Sequence, residues 1–134
     1  MTFFLDTNII VSILRKNPNQ NVLNKVEAQS RKEVKIPSMV KAELIAGALK
    51  SQSIESNLEN VEKIIFGLEI VPFDDAAAVL YGKIKTEMIK KGKIIGPNDL
   101  VIAATVLSHS GILVTSNTKD FERIGGLRIE DWCV

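Results

Sequence analysis

Thr2-Phe3-Phe4-Leu5-Asp6-Thr7-Asn8 opens the chain, and Ile9-Ile10-Val11-Ser12-Ile13-Leu14 follows at once. The first apolar run is short and unbroken, as a central strand buried on both faces is. The second reads as a helix. In open α/β sheets, ligands bind just beyond the carboxyl ends of the strands. A carboxylate at Asp6 therefore stands on the rim of a site before any other residue is considered. The plainer reading is local: Asp and Asn are favoured helix caps, so Asp6 or Asn8 could simply cap the helix that follows.

Further along, the chain keeps alternating between the two periods. Asn17-Pro18-Asn19 reads as a turn, and residues 21–31 form an amphipathic surface helix carrying Val22, Leu23 and Val26. Glu33-Val34-Lys35-Ile36 predicts a short strand that ends at Pro37, with Ser38 as the cap of a helix over 39–50. A helix over 54–66 stops at Gly67, and a strand over 68–71 stops at Pro72. Asp74-Asp75 open a long helix whose apolar positions are Ala77, Leu80, Tyr81, Ile84 and Met88. Its far end is basic (Lys90, Lys91, Lys93), as the helix macrodipole favours.

Gly96-Pro97-Asn98-Asp99 starts the next helix, with proline in its first turn. From Leu100 to Leu107 that helix is apolar nearly all round, which predicts burial on most sides. Ile112–Val114 is another buried strand, and Thr115 to Thr118 is the loop beyond it, followed by Asp120-Phe121. Gly125-Gly126 turns the chain into a last strand over 127–129. Strands alternating with helices predict an α/β fold with a mainly parallel sheet. At 134 residues this is one domain spanning 1–134.

Composition narrows the function. Hydrophobic residues are 46% and charged residues 25%, as in a globular chain. Net charge is +1, so any contact with a polyanion must rest on a local basic patch. One cysteine (Cys133) and one histidine (His109) leave no disulfide framework and argue against a zinc site. The apolar start meets Asp6 too soon for a signal peptide, and no run reaches the ~18 apolar residues of a membrane span. The expected location is the cytoplasm.

Four acids now fall where one rim should be: Asp6 after the first strand, Glu43 one turn into the helix after the second, Asp99 in the first turn of the buried helix, and Asp120 beyond the strand Ile112–Val114. Each has a bland reading, as a solvated helix glutamate, a complement to a helix dipole or a turn cap. Asp99 resists it most, because an unpaired charge beside so apolar a helix is costly. Carboxylates set side by side raise one another's pKa, and a divalent cation relieves the repulsion. Oxygen-only ligands select hard ions, so Mg²⁺, or Mn²⁺, is the expected cofactor. Such a site supports metal-assisted attack on phosphate esters.

Leu5-Asp6-Thr7-Asn8, Pro37-Ser38-Met39-Val40-Lys41-Ala42-Glu43-Leu44, Gly96-Pro97-Asn98-Asp99-Leu100 and Thr115-Ser116-Asn117-Thr118-Lys119-Asp120-Phe121, in this order, resemble the PIN-domain ribonucleases. Within them the match is to VapC toxins of bacterial type II toxin–antitoxin modules, and the closing Gly126 to Trp132 is similar too. The resemblance covers essentially the whole chain. It implies a three-layer α/β/α sandwich, Mg²⁺-dependent endoribonuclease activity on exposed loops of structured RNA such as tRNA or ribosomal RNA, a homodimer, and a VapB-type antitoxin, with higher assembly between the two. Carried over by position, it implies Asp6 and Asp99 as metal ligands, Glu43 as ligand or water-orienting base, and Asp120 completing the acidic pocket. Thr115 and Asn117 would be hydrogen-bonding support, with Thr7, Asn8 and Ser38 as further polar support. A position that is often Asp in the family holds Asn117 here, which lowers the charge of the site.

Aromatic residues are only 5% of the chain, so broad base stacking is not expected. Basic candidates for phosphate contact are Arg15, Lys16, Lys41, Lys50, Lys91, Lys93 and Lys119, any of which could equally be ordinary surface charge. Two other classes compete with the nuclease. A phosphoacceptor receiver domain also sets an Asp at a strand end beside Mg²⁺, but it would need paired acids after strand one and an acceptor Asp directly after a middle strand. A PIN-fold interaction module without strong activity would have no use for the retained acids.

Overall fold

The computed structural model describes residues 1–134. Five strands form one sheet: β1 (Phe3–Leu5), β2 (Val34–Pro37), β3 (Glu69–Val71), β4 (Ile112–Val114) and β5 (Arg128–Glu130). Their order is β3-β2-β1-β4-β5 and every pairing is parallel. The helices are α1 (Thr7–Leu14), α2 (Gln20–Glu27), α3 (Ser38–Lys50), α4 (Ile54–Ile65), α5 (Asp75–Lys90), α6 (Pro97–Ser108) and α7 (Thr118–Phe121).

The strand order decides where the helices go. From β1 the chain moves one way, to β2 and then β3; from β3 it crosses back to β4 and on to β5. Parallel crossovers are right-handed almost without exception. Reversal of direction therefore puts α1 to α4 on one face of the sheet and α5 to α7 on the other. Contacts agree: α1, α3 and α4 pack together, and α5 packs on α6. The sheet is sandwiched between two helical layers, as expected. The reversal occurs between β1 and β4, and at that point the connections leave for opposite faces and a crevice opens.

The core follows the apolar runs. All three residues of β1 and all three of β4 are buried, as are Ile102 to Val106 of α6. Gly111, between α6 and β4, admits Phe4: a Cβ there would stand 2.5 Å from the Phe4 ring. Trp132 is fully buried beyond β5, its ring centroid 5.1 Å from that of Phe3, and its indole N–H donates to Glu130. No helix is long and apolar enough to cross a membrane.

Several boundaries differ from the sequence reading. The helix expected over 21–31 ends at Glu27, and a 3-10 turn, Arg31–Glu33, capped by the Ser30 hydroxyl, precedes β2. Ser38 is not a cap: β2 runs on to Pro37, which holds the cap position with no side-chain bond, and Ser38 is the first helical residue. Asp120 lies not in a loop but on α7, a single turn too short to leave a periodic signature. Gly67 ends α4 as expected, at φ +79°.

Candidate active site

Asp6 ends β1 and is both a cap and something more. Its Oδ1 accepts the Thr7 N–H at 2.9 Å, fixing the start of α1, while its Oδ2 accepts the Thr115 hydroxyl at 2.7 Å across the crevice. The β1–β4 ladder extends to Asp6, whose N–H donates to Val114, and so holds the two strand tips in register. Asp6 is buried and Thr115 fully so. The Thr115 oxygen also accepts the Asn117 N–H at 3.0 Å, which leaves its proton directed at Asp6.

Glu43 reaches the same place from α3. Its Oε1 accepts the Thr7 hydroxyl at 2.6 Å and its Oε2 accepts the Asn98 side-chain amide at 3.4 Å. Thr7 thus joins Asp6 and Glu43 through its backbone and its side chain, across 36 residues of sequence. Asn98, in the first turn of α6, ties α3 to the helix that carries Asp99. Asp120 on α7 accepts the Asn117 amide at 3.0 Å and faces the Arg123 guanidinium at 3.9 Å. The same guanidinium donates to the Ile94 carbonyl at 3.4 Å.

Asp99 stands apart because no protein group compensates it. It is half-buried and makes neither a hydrogen bond from its carboxylate nor an ion pair. Burial, followed by repulsion from Asp6, Glu43 and Asp120, pushes its carboxyl up to about 6. Burial also raises Asp6, against the lowering effect of the Thr115 and Thr7 hydrogen bonds, with Glu43 adding to the rise. The other three predicted acids are therefore within electrostatic reach of Asp99, with Arg123 the one cation paired to the group.

No three of these groups converge to the spacing of a closed metal cage. Mg²⁺ does not require such a cage, because it keeps several of its waters and is held through one or two carboxylates. The donor set is all oxygen and the charge on Asp99 is uncompensated, so the residues present fit a hard divalent cation. Beside Thr7 and Glu43 a cavity of about 340 Å³ opens between α1, α3 and α4, lined by Val11, Leu14, Arg15, Leu44 and Val61.

Not every predicted residue joins the site. Asn8 is exposed and makes no side-chain hydrogen bond within the chain, and the Ser38 hydroxyl bonds to nothing in it. Thr7, Thr115 and Asn117 each donate a side-chain hydrogen bond to one of the acids, Glu43, Asp6 and Asp120 respectively. Sequence reasoning missed Asn98 and Arg123. Nothing around Asn98 signals Glu43, 55 residues away, whereas Arg123 lies three residues after Asp120, at a spacing that could have been read as a local ion pair. The receiver-like reading fails on topology: β3 is an edge strand, and Asp74 beyond it is an exposed helix cap that accepts the Ala77 N–H at 3.0 Å.

A PIN domain family model matches residues 3–127. The tRNA(fMet)-specific endonuclease VapC of Shigella flexneri is 39% identical over 132 residues, 98% of either chain. Ribonuclease VapC2 of Rickettsia felis is 38% identical, again over 98% of both. Among solved structures, VapBC2 from Rickettsia felis bound to a DNA fragment from its promoter superposes with a TM-score of 0.93 at 38% identity, covering 98% of this chain and 99% of that one. DNA-bound VapBC from Salmonella typhimurium also gives 0.93, at 38% identity and 99% coverage of each chain. With an acid-rimmed crevice where its sheet reverses direction, this chain belongs to the PIN-domain family and, within it, to the VapC endoribonucleases.

Proposed function

We propose that the protein is the toxin of a type II toxin–antitoxin module, a Mg²⁺-dependent endoribonuclease that cuts structured RNA at exposed loops, with tRNA the first substrate to try. The observation that carries this reading is the uncompensated Asp99 carboxylate beside Asp6, Glu43 and Asp120 at the switch point of the sheet. The name of the Shigella relative supports tRNA as the substrate class. Unpaired loops are also where an RNA exposes bases and backbone to a protein.

Asp6 and Asp99 would hold the cation, with Glu43 and Asp120 completing its surroundings. Bound there, Mg²⁺ (or Mn²⁺) would supply Lewis-acid polarisation of the scissile phosphate and offset the charge of the acids. The chain's own residues do the rest. Thr115 and the Thr7 N–H fix both oxygens of Asp6, so that carboxylate is orientated before substrate arrives. Thr7 and Asn98 hold Glu43 at the edge of the crevice, where an ionised carboxylate can orient a water and take its proton. Asn117 positions Asp120 without adding charge.

The partner in this reading is a VapB-type antitoxin, as in the related complexes from Rickettsia felis and Salmonella typhimurium. The groove that begins at Thr7 and Glu43 and runs between α1, α3 and α4 would let such a partner cover the acids. The toxin itself is expected to be a homodimer, which light scattering of the purified chain would test.

The nuclease reading is tested by incubating total bacterial RNA with purified protein freed of antitoxin, with Mg²⁺ and with EDTA. Discrete fragments that vanish in EDTA are expected, and sequencing their ends names the RNA. Intact RNA in the presence of metal would reject the reading.

A further inference from the structure

A second cleft of about 270 Å³ lies between α5 and the segment leading into α6. Tyr81, Met88 and Ile95 form its wall, and Lys85 and Lys93 are the charged residues lining it. Neither lysine forms an ion pair. The Lys85 ammonium lies 5.8 Å from the centroid of the Tyr81 ring, and Phe73 meets that ring edge-on, holding it in place.

Two features relate the cleft to the elements that carry the acids. Pro97 and Leu100, which flank Asp99 on α6, line it. Ile94, 87% exposed at its mouth, gives its carbonyl to Arg123, whose other contact is Asp120. Lys85 and Lys93 line the cleft and Arg123 bridges its mouth at Ile94 to Asp120, in a chain whose net charge is only +1. Small-molecule sites typically enclose about 300–1,000 Å³, so this cleft falls just under that range and suits one planar base.

Resting on the ribonuclease reading, the geometry points to the cleft as a substrate subsite: it takes one unpaired nucleotide of the RNA, next to the cleaved phosphate. The base lies against Tyr81, and the phosphates on either side of it pair with Lys85 and Lys93. Charge complementarity selects RNA over a second copy of the chain, because the charged lining is entirely cationic. Tyr81 and the two lysines are positioning residues that do not touch the reacting phosphate.

The test uses the full-length protein in EDTA and a fluorescent, unstructured 12-mer RNA followed by anisotropy, beside the same 12-mer with abasic sites. Hydrolysis of bis(p-nitrophenyl) phosphate with Mn²⁺ reports whether the acids still work. The double variant Lys85→Ala/Lys93→Ala should weaken binding to both probes. It should also flatten the dependence of log K on log salt by about 1.4, two single-strand phosphate contacts at about 0.7 each. Tyr81→Leu should weaken the normal 12-mer roughly tenfold and leave the abasic one unchanged. Turnover of the small phosphodiester should be unaffected in both.

If wild-type protein cleaves RNA while these variants bind and cleave as wild type does, the subsite is wrong and the nuclease reading stands. Equal loss on normal and abasic RNA with Tyr81→Leu would overturn the base pocket. A wild-type chain that neither binds nor cuts RNA would overturn both. Variants that bind RNA normally but change the mass measured by light scattering would assign this face to a second copy of the chain.

Discussion

Asp6 and Asp74 begin alike. Each comes shortly after a strand (Asp6 directly after β1, Asp74 three residues past the end of β3), each caps the helix that comes next, and each accepts a backbone N–H near 3 Å. Their surroundings separate them. Asp6 leaves a central strand at the point where neighbouring connections diverge to opposite faces, so it lies in a crevice with Thr115 opposite and Glu43, Asp99 and Asp120 near by. Asp74 leaves the edge strand β3, where nothing diverges, and its carboxylate is exposed to solvent. The same local motif lies in a crevice among other acids in one place and on the open surface in the other, and strand order makes the difference.

The largest effect that separates the two is on catalysis. Asp99→Asn should lower RNA cleavage by about a thousandfold, the scale expected when a ligand supporting several kcal/mol of transition-state stabilisation is lost. Asp74→Ala should cleave RNA at the wild-type rate and lose about 1 kcal/mol of stability, as the removal of a helix cap does. Cleavage kinetics and thermal melts of the two variants side by side would check both halves of the comparison. A large activity loss in Asp74→Ala would break it.

A smaller effect tests how Asp6 is held. Thr115→Val keeps the shape of the buried side chain but removes the donor to Oδ2. Cleavage should fall about 10- to 100-fold, as when support behind a metal ligand is removed. Stability should drop by about 1.5–3 kcal/mol, the cost of losing a hydrogen bond to a buried charge. A Thr115→Ser variant, which retains the hydroxyl, should recover most of the activity.

The smallest effect is on stability against pH. Asp99 titrates near 6 in the fold, above its ordinary value of 3.8, and burial also raises Asp6. The folded state therefore binds protons more tightly than the unfolded one. This contribution to stability is fully present below the unfolded pKa and is lost as pH rises through about 6. In EDTA the protein should melt higher at pH 5 than at pH 7.5. Asp99 is partly exposed, so after screening its share is about 1 kcal/mol. Asp99→Asn should flatten that profile, and Mg²⁺ at pH 7.5 should restore the wild-type melting temperature.

What was legible in the sequence follows the same division. The strands Phe3–Leu5 and Ile112–Val114 declare themselves because full burial demands unbroken apolar runs, and α6 because it is apolar on nearly every side. The acids were legible as chain positions, since each falls just after a strand or in the first two turns of a helix. The bonds that make a site of them were not. Thr7 to Glu43 and Asn98 to Glu43 span 36 and 55 residues, and no local pattern encodes such a pairing. Arg123 could have been paired with Asp120 from their spacing of three, but its bond to the Ile94 carbonyl exists only once the segment before α6 is brought beside α7. Ser38 erred the other way: serine after a strand looks like a cap, but the helix begins directly after β2, so that Pro37 takes the cap position and Ser38 is already helical.

The central claim is that Asp6 and Asp99 hold a divalent cation where the sheet reverses direction. Mn²⁺ binding measured by calorimetry or electron paramagnetic resonance, on wild type, Asp99→Asn, Asp6→Asn and Asp74→Ala, tests it without reference to any RNA. The account predicts saturable binding by wild type and Asp74→Ala, and a loss of at least tenfold in affinity for the other two. Equal affinity in all four proteins, each still folded, would contradict it.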